Sequence, residues 1–101
     1  TESVAKLTNK FILEQNYPNP FNPLTLIEYN IPYDSHVKIE IYILTGKRIL
    51  SLVDKEYSAG YHQIIWNGKN KNGSDVPSGI YFIKSFLGEG FKNIIKSTVI
   101  R

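Results

Sequence analysis

The sequence predicts a small all-β domain made of two packed antiparallel sheets. Apolar and polar residues alternate along several stretches, and turn-forming residues separate those stretches. No stretch has the three-to-four-residue spacing of an amphipathic helix. The chain has 101 residues, of which 42% are hydrophobic and 21% are charged. This length and balance indicate one globular domain that is large enough to bury a core.

The two stretches LTLIEYNIP and HVKIEIYIL alternate most regularly. Residues two positions apart lie on the same side of a strand, so each stretch has one apolar face that we expect to be buried. These faces are Thr25, Ile27, Tyr29 and Ile31 in the first stretch, and Val37, Ile39, Ile41 and Ile43 in the second. The opposite faces, which we expect to meet solvent, carry Glu28 and Asn30, and Lys38, Glu40 and Tyr42.

Five further stretches complete the predicted strands: FILE, KRILSLV, YHQIIWNG, SGIYFIKSFL and FKNIIKSTVI. Trp66 is in phase with His62 and Ile64, as a core tryptophan would be. Glycine and asparagine tolerate positive φ, so they mark the turns between strands. The turn residues are Gly46, Gly60, Asn72, Gly73, Gly79, Gly88 and Gly90. Seven short strands with regular turns predict an immunoglobulin-like antiparallel β-sandwich.

The stretch NYPNPFNP contains three prolines, three asparagines and two aromatic residues. A flexible linker would be rich in glycine and serine, and exposed aromatic rings are costly in water. We therefore predict a folded crossover that buries Tyr17 and Phe21 against one end of the sandwich, with a linker as the alternative. Its structural residues are Asn16, Tyr17, Pro18, Pro20, Phe21 and Pro23. We predict that residues 1–10 form a linker or tail and that residues 11–101 form the domain.

Composition excludes several classes of protein. Without methionine, Thr1 is not a translation start, so the chain is expected to be a mature product or a piece of a longer protein. The absence of cysteine rules out disulfides and thiolate chemistry. The net charge of +3 comes from scattered lysines, whereas a nucleic-acid surface would carry a dense basic stripe. No apolar run is long enough for a membrane span.

Few residues suit catalysis or metal binding. His36 and His62 are the only histidines, and neither has ligand spacing to a second metal-binding residue. No nucleophile motif is present, so we predict neither enzymatic activity nor a cofactor. The loop GKNKNGSD, with Asn67 just before it, could offer a weak calcium site through Asn67, Asn70 and Asp75, but a plain hairpin tip is preferred.

Tyrosines could form a sugar-binding platform. Tyr42, Tyr61 and Tyr81 are predicted to be more exposed than Trp66. Aromatic residues at alternating strand positions are more often core residues, so sugar binding is the weaker interpretation.

Several blocks occur together in a recognisable order: YPNPFNP-x-T-x-I-x-Y-x-I-P, V-x-I-x-I-Y-x-x-x-G-x-x-I, AG-x-H-x-I-x-W-N-G and SGIYF. This order resembles the type A C-terminal sorting domains of the type IX secretion system. It is also similar to the immunoglobulin-like domain of the flagellar hook-capping protein family. The resemblance covers residues 11–101. The final residue, Arg101, matches the basic ending of such domains, so we expect a native C-terminus.

The resemblance implies a transport function. A sorting domain directs an upstream cargo domain through the periplasm to the cell surface or medium, and its partners are an outer-membrane translocon, a shuttle protein and a sortase-like peptidase. Lys96 and Arg101 are the implied receptor contacts. The family commonly has aspartate at the positions of Asn67 and Asn70, and a hydrophobic residue at the position of Ser97. The alternative function is an accessory module that binds polysaccharide or spaces other domains.

Overall fold

The computed structural model describes residues 11–20 and 24–101, apart from the side chain at position 91. The predicted tail, residues 1–10, lies outside the described residues, as do Phe21 and Pro23. The described chain forms seven strands. They are β1 (Ile12–Leu13), β2 (Thr25–Ile31), β3 (Ser35–Ile43), β4 (Arg48–Tyr57), β5 (Gly60–Trp66), β6 (Gly79–Leu87) and β7 (Phe91–Val99).

The strands form two antiparallel sheets. One sheet has the order β1-β2-β5 and the other has the order β4-β3-β6-β7. Adjacent strands in the second sheet are joined by tight turns between β3 and β4 and between β6 and β7, whereas the chain changes sheet after β2, β4 and β5. This architecture confirms the predicted immunoglobulin-like β-sandwich of seven strands.

The core lies between the two sheets and is built from the predicted apolar faces. The inward residues of β2 and β3 are almost fully buried, and they include Ile27, Tyr29, Ile31, Val37, Ile39 and Ile41. Trp66 is fully buried, and its ring meets the Tyr81 ring edge to face at 5.8 Å. The prediction that Tyr81 is exposed is wrong. Tyr81 faces inward from β6, its hydroxyl donates to the Pro77 carbonyl at 2.7 Å, and burial raises its pKa.

Two polar residues on the predicted solvent faces are buried instead: Asn30 and Glu40. Glu40 does point away from the core, but neighbouring side chains cover it. Arg48 donates to its carboxylate at 2.9 Å, and the Tyr42 hydroxyl donates to the same group at 2.7 Å. This hydrogen bond to Glu40 raises the pKa of Tyr42. Alternation thus predicts the direction of a side chain, whereas neighbouring strands decide its exposure.

The predicted turns form, with one difference. Gly46 adopts a φ of 94° between β3 and β4, a conformation that strongly favours glycine. In the loop after β5, Gly73 has a φ of 80°, but Asn72 does not have positive φ. A mirror-image turn with positive φ at both residues is therefore absent at this position. The Gly73 N–H donates to the Asn70 carbonyl at 3.0 Å.

Candidate functional site

The described part of the proline stretch, Asn16–Pro20 (the proline segment), packs against the sandwich. The backbones of Tyr17 and Leu26 exchange two hydrogen bonds, of 2.9 and 2.7 Å. The peptide bonds before Pro18 and Pro20 are cis. These contacts fasten the segment beside β2, so the linker alternative is wrong for this part of the chain.

Asn16 lies at the centre of a buried polar network. Its Nδ2 group donates to the Thr25 hydroxyl and to the Ser97 hydroxyl, each at 2.8 Å. Its Oδ1 atom accepts from Gln15 at 2.7 Å, and the Thr25 hydroxyl donates to the Pro18 carbonyl at 2.8 Å. Thr25 belongs to β2 and Ser97 to β7. One amide therefore links the two sheets with the proline segment.

The side chains of Gln15 and Asn19 cover the outer edge of β7. The Asn19 Oδ1 atom accepts from the Thr98 backbone N–H at 2.8 Å, and its Nδ2 group lies 3.5 Å from the Lys96 carbonyl. Gln15 donates to the same carbonyl at 2.8 Å. Because a side-chain amide carries both a donor and an acceptor, it can bond to the backbone N–H and C=O groups of an edge strand as a neighbouring strand would. This part of the β7 edge is therefore already occupied.

The prediction that Tyr17 is buried is wrong. Its exposed fraction is 76%, whereas that of Asn16 is 2%. The backbone pairing of Tyr17 with Leu26 uses the main chain and leaves the ring outside. A signal for the buried amide was present in the sequence, because Thr25 and Ser97 both occupy inward strand positions. Three polar side chains in one core region need each other to satisfy their hydrogen bonds.

The two predicted receptor contacts lie in different surroundings. Lys96 is exposed on the outward face of β7, opposite Phe82 of β6. The Arg101 guanidinium donates to the carbonyls of Gly68 and Val76, and it lies 3.7 Å from the Asp75 carboxylate. Arg101 thus fastens the end of the chain to the loop after β5. Receptor recognition by Lys96 and Arg101 stays a prediction.

The loop considered for calcium uses its oxygens internally. Asn70 Oδ1 accepts from the backbone N–H groups of Asn72 and Ser74 at 2.9 and 3.1 Å. Asp75 receives a hydrogen bond from Lys69 at 2.8 Å, and this bond lowers the pKa of the Asp75 carboxyl. Within residues 11–20 and 24–101, no three His, Cys, Asp or Glu side chains cluster as metal ligands would.

The candidate sugar platform is also partly covered. The Lys84 ammonium lies 4.1 Å from the centre of the Tyr42 ring, and the Tyr61 hydroxyl accepts from Gln63 at 2.8 Å. Tyr42 and Tyr61 are half-buried and Tyr81 is buried, so no two of the three tyrosines form an open aromatic face.

His62 is packed and hydrogen-bonded. Its ring stacks on Tyr29 with the ring centres 5.7 Å apart. Its Nε2 atom lies 2.8 Å from the Ser58 carbonyl oxygen. A carbonyl can only accept, so Nε2 carries the proton. This arrangement anchors the imidazole between Tyr29 of β2 and the turn that joins β4 to β5.

His36 is expected to make stability depend on pH. Its Nε2 contacts Asp54, and its Nδ1 lies 3.3 Å from a Glu56 oxygen. The hydrogen bond to Asp54 raises the pKa of His36. A raised pKa in the folded state contributes stability below the unfolded value of about 6.5, and that contribution is lost as pH rises through the folded pKa. We expect the melting temperature to fall slightly from about pH 6 to about pH 8.

The measurement is a series of thermal melts with NMR titration of both histidines. His36→Gln is expected to remove the pH-dependent decrease, whereas His62→Gln is the matched control that retains it. An unshifted His36 titration would contradict the expectation.

Comparisons with known proteins agree with this fold. The profile of the FlgD Ig-like domain family matches residues 24–85. No curated protein matches the chain. No helix in the described residues is long and apolar enough to cross a membrane.

Three solved structures are similar to this chain. Dimeric latent PorU from Porphyromonas gingivalis matches 89% of the chain at 22% identity and a TM-score of 0.70. FLGD from P. aeruginosa matches 74% at 22% identity and a TM-score of 0.59. PorZ of P. gingivalis matches 100% at 19% identity and a TM-score of 0.55. The match covers 9%, 58% and 13% of those chains, respectively. The family profile matches more than half of this chain's residues, so the chain belongs to the FlgD Ig-like domain family.

Proposed function

We propose that this chain is a non-catalytic C-terminal sorting domain that directs an attached cargo through the type IX secretion system to the cell surface or medium. Its motif order resembles such domains, and its fold is similar to that of PorZ, which is described as an essential surface component of that system. The proposed partners are the translocon, the shuttle protein and the sortase-like peptidase, together with the upstream cargo domain.

The observation that carries this proposal is the connection between the proline segment and the last strand. Asn16, directly before the first block of the motif order, and Ser97, in the last strand, share a buried hydrogen bond of 2.8 Å. Asn19 adds a bond of 2.8 Å to the Thr98 backbone. The proline segment and the last strand therefore form one structural unit. A receptor that reads this unit would distinguish a folded domain from an unfolded one.

The outward side chains in the second half of β7 and in the residue after it are groups that a receptor can reach. Ile94, Lys96, Thr98 and Ile100 alternate on the outward side, and Ile94 and Ile100 have exposed fractions of 49% and 50%. The backbone of the same strand is less available, because Gln15 and Asn19 bond to Lys96 and Thr98. Recognition through outward side chains is therefore favoured over strand addition at this edge.

Export of a fusion protein tests the proposal. Residues 1–101 are placed behind a periplasm-directed fluorescent protein in a bacterium that has the type IX system. We expect the fusion at the surface or in the medium, and a fusion that lacks residues 97–101 in the periplasm, because the deletion removes both Ser97 and the Arg101 anchor. Export in a strain without the translocon would contradict the proposal.

A matched pair of lysines separates recognition from folding. Lys96 and Lys92 are both exposed on β7 and lie four residues apart on the same face. We expect Lys96→Ala to reduce export and Lys92→Ala to leave it nearly unchanged, with equal melting temperatures. If the intact fusion stays periplasmic while the purified domain binds polysaccharide, the accessory-module function replaces the sorting function.

A further inference from the structure

Among the described strands, three of the four sheet edges are protected against pairing with another strand. β1 has only two residues, and the neighbouring Phe11 carbonyl accepts from Asn93 of β7 at 3.3 Å. The β7 edge is covered by Gln15 and Asn19. β4 carries the charged run Asp54, Lys55 and Glu56, and its register with β3 shifts twice. Charges and register irregularities are the usual protection against unwanted strand pairing.

β5 lacks this protection. Its sequence, GYHQIIW, contains no Asp, Glu, Lys, Arg or Pro. Among the described strands it pairs only with β2, and its seven residues pair in one uninterrupted register. A regular, uncharged edge strand of this length is a template for addition of another strand.

The pattern of backbone hydrogen bonds shows which groups of β5 face outward. Leu26 of β2 bonds with Tyr17, on the side away from β5. Since alternate residues of an antiparallel strand bond to opposite neighbours, Ile27 bonds with its partner Ile64 of β5. The flanking β5 residues, Gln63 and Ile65, therefore direct their N–H and C=O groups to the open edge. Within the described chain, none of the backbone bonds outside the strand ladders involves either residue.

A groove and an apolar patch adjoin these groups. The groove has a volume of about 380 Å³ and is lined by Leu26, Gln63, Ile64 and Ile65. Ile65 has an exposed fraction of 54%, and the nearby Leu24 and Tyr17 have 52% and 76%. Three of its lining residues, Gln63, Ile64 and Ile65, are consecutive in the edge strand β5, so the groove lies beside the edge of the sheet. Contiguous exposed apolar side chains mark interaction surfaces.

We propose that β5 pairs with β5 of a second copy of this chain, in antiparallel orientation, so that two three-stranded sheets form one six-stranded sheet. If Ile64 lies opposite Ile64 of the second copy, Gln63 of each copy pairs with Ile65 of the other. This register forms four backbone hydrogen bonds and satisfies the groups at both edges.

The chemistry of β5 favours a second copy as the occupant. Antiparallel pairing of identical strands is closed by two-fold symmetry, so it stops at a dimer. This pairing places no like charges opposite each other, because β5 contains no Asp, Glu, Lys or Arg. The proposed contact consists of one short strand with four backbone hydrogen bonds, so we expect the dimer to dissociate in the micromolar range or above.

Sedimentation of the full chain over a micromolar to millimolar range tests the pairing. The expected result is a monomer–dimer equilibrium, with amide hydrogen exchange at Gln63 and Ile65 slowing as the dimer forms. Ile65→Lys weakens the dimer at least about tenfold, because it places two ammonium groups at the new interface. Gln63→Pro weakens it by removing an N–H that does not bond to β2. The matched control is Ile94→Lys, at an isoleucine of 49% exposure in the other sheet, which leaves the dimer intact.

A chain that stays monomeric to millimolar concentration overturns the proposal and leaves the β5 edge to a strand of a different protein. A dimer that tolerates both Ile65→Lys and Gln63→Pro, or that leaves the Gln63 and Ile65 amides exchanging fast, overturns it as well. Neither outcome depends on export. A failed dimerisation test therefore leaves the sorting proposal standing, and a failed export test leaves the dimer proposal standing.

Discussion

Replacing Trp66 by alanine is expected to lower the free energy of unfolding by about 3–5 kcal/mol. The indole is fully buried, its ring meets Tyr81 edge to face at 5.8 Å, and its Nε1–H donates to the Lys69 carbonyl at 3.0 Å. Alanine would leave a cavity between the sheets and also release the loop after β5. Because small domains are stable by only about 5–15 kcal/mol, this loss is a large share of the total. Urea unfolding followed by circular dichroism measures it.

A second substitution separates packing from the hydrogen bond. Trp66→Phe keeps an aromatic ring against Tyr81 but loses the N–H that bonds to Lys69. We expect a smaller loss than for alanine, of about 1–3 kcal/mol, from the smaller ring and the unpaired carbonyl. Equal losses for the two variants would assign the effect to the hydrogen bond, and a loss under about 1 kcal/mol for alanine would contradict the core position of Trp66.

Replacing Asn16 by alanine is expected to cost about 2–4 kcal/mol of stability. The amide is 2% exposed, and its loss removes hydrogen bonds to the Thr25 and Ser97 hydroxyls, which stay buried. A buried polar group that loses its partner costs more than an ordinary hydrogen bond contributes, because it has given up water without compensation. Thermal and urea unfolding of Asn16→Ala measure the cost.

Tyr17→Ala is the matched control for the proline segment. Tyr17 follows Asn16 directly but is 76% exposed, so we expect a change within about 0.5 kcal/mol. Equal effects at the two positions would contradict the assignment of Asn16 as the anchor.

A combined variant tests whether the network acts as a unit. Replacing Asn16 with Leu, Thr25 with Val and Ser97 with Ala removes the donors and acceptors that bond between these three side chains together. Only the Pro18 carbonyl and the Gln15 amide then lose a partner. We expect this variant to be more stable than the sum of the single substitutions predicts, since residues in one network are not additive. Strict additivity would indicate three independent sites.

The Asn16 network also bears on the sorting proposal. It couples residues near the start of the domain to β7, and Asn19 and Gln15 cover the β7 edge at Lys96 and Thr98. A domain that has lost this coupling would still contain every residue of the motif order but would present β7 differently. Recognition that needs the folded unit would therefore be lost in Asn16→Ala even where the outward side chains are unchanged.

Local patterns determined much of this protein from the sequence alone. Strict alternation set the inward faces of β2 and β3, because neighbouring side chains on a strand must point to opposite sides. The phase of Trp66 with Ile64 placed the indole in the core, and Gly46 marked a turn that requires positive φ. These inferences depend on the geometry of a few adjacent residues, and that geometry is the same in any sheet.

Only the tertiary structure decided how the proline segment is buried and which sheet edge is open. Aromatic size favoured burial of Tyr17, but backbone pairing with Leu26 leaves that ring in solvent, while Asn16 finds two hydroxyl partners between the sheets. Whether a sheet edge is open to another strand also depends on which segments lie beside it. Asn19 bonds to the backbone at the β7 edge, whereas no described segment does so at Gln63 and Ile65 of β5. Both outcomes depend on contacts between residues far apart in the chain. The energy of such a contact depends on which residue lies opposite, and no local pattern specifies that residue.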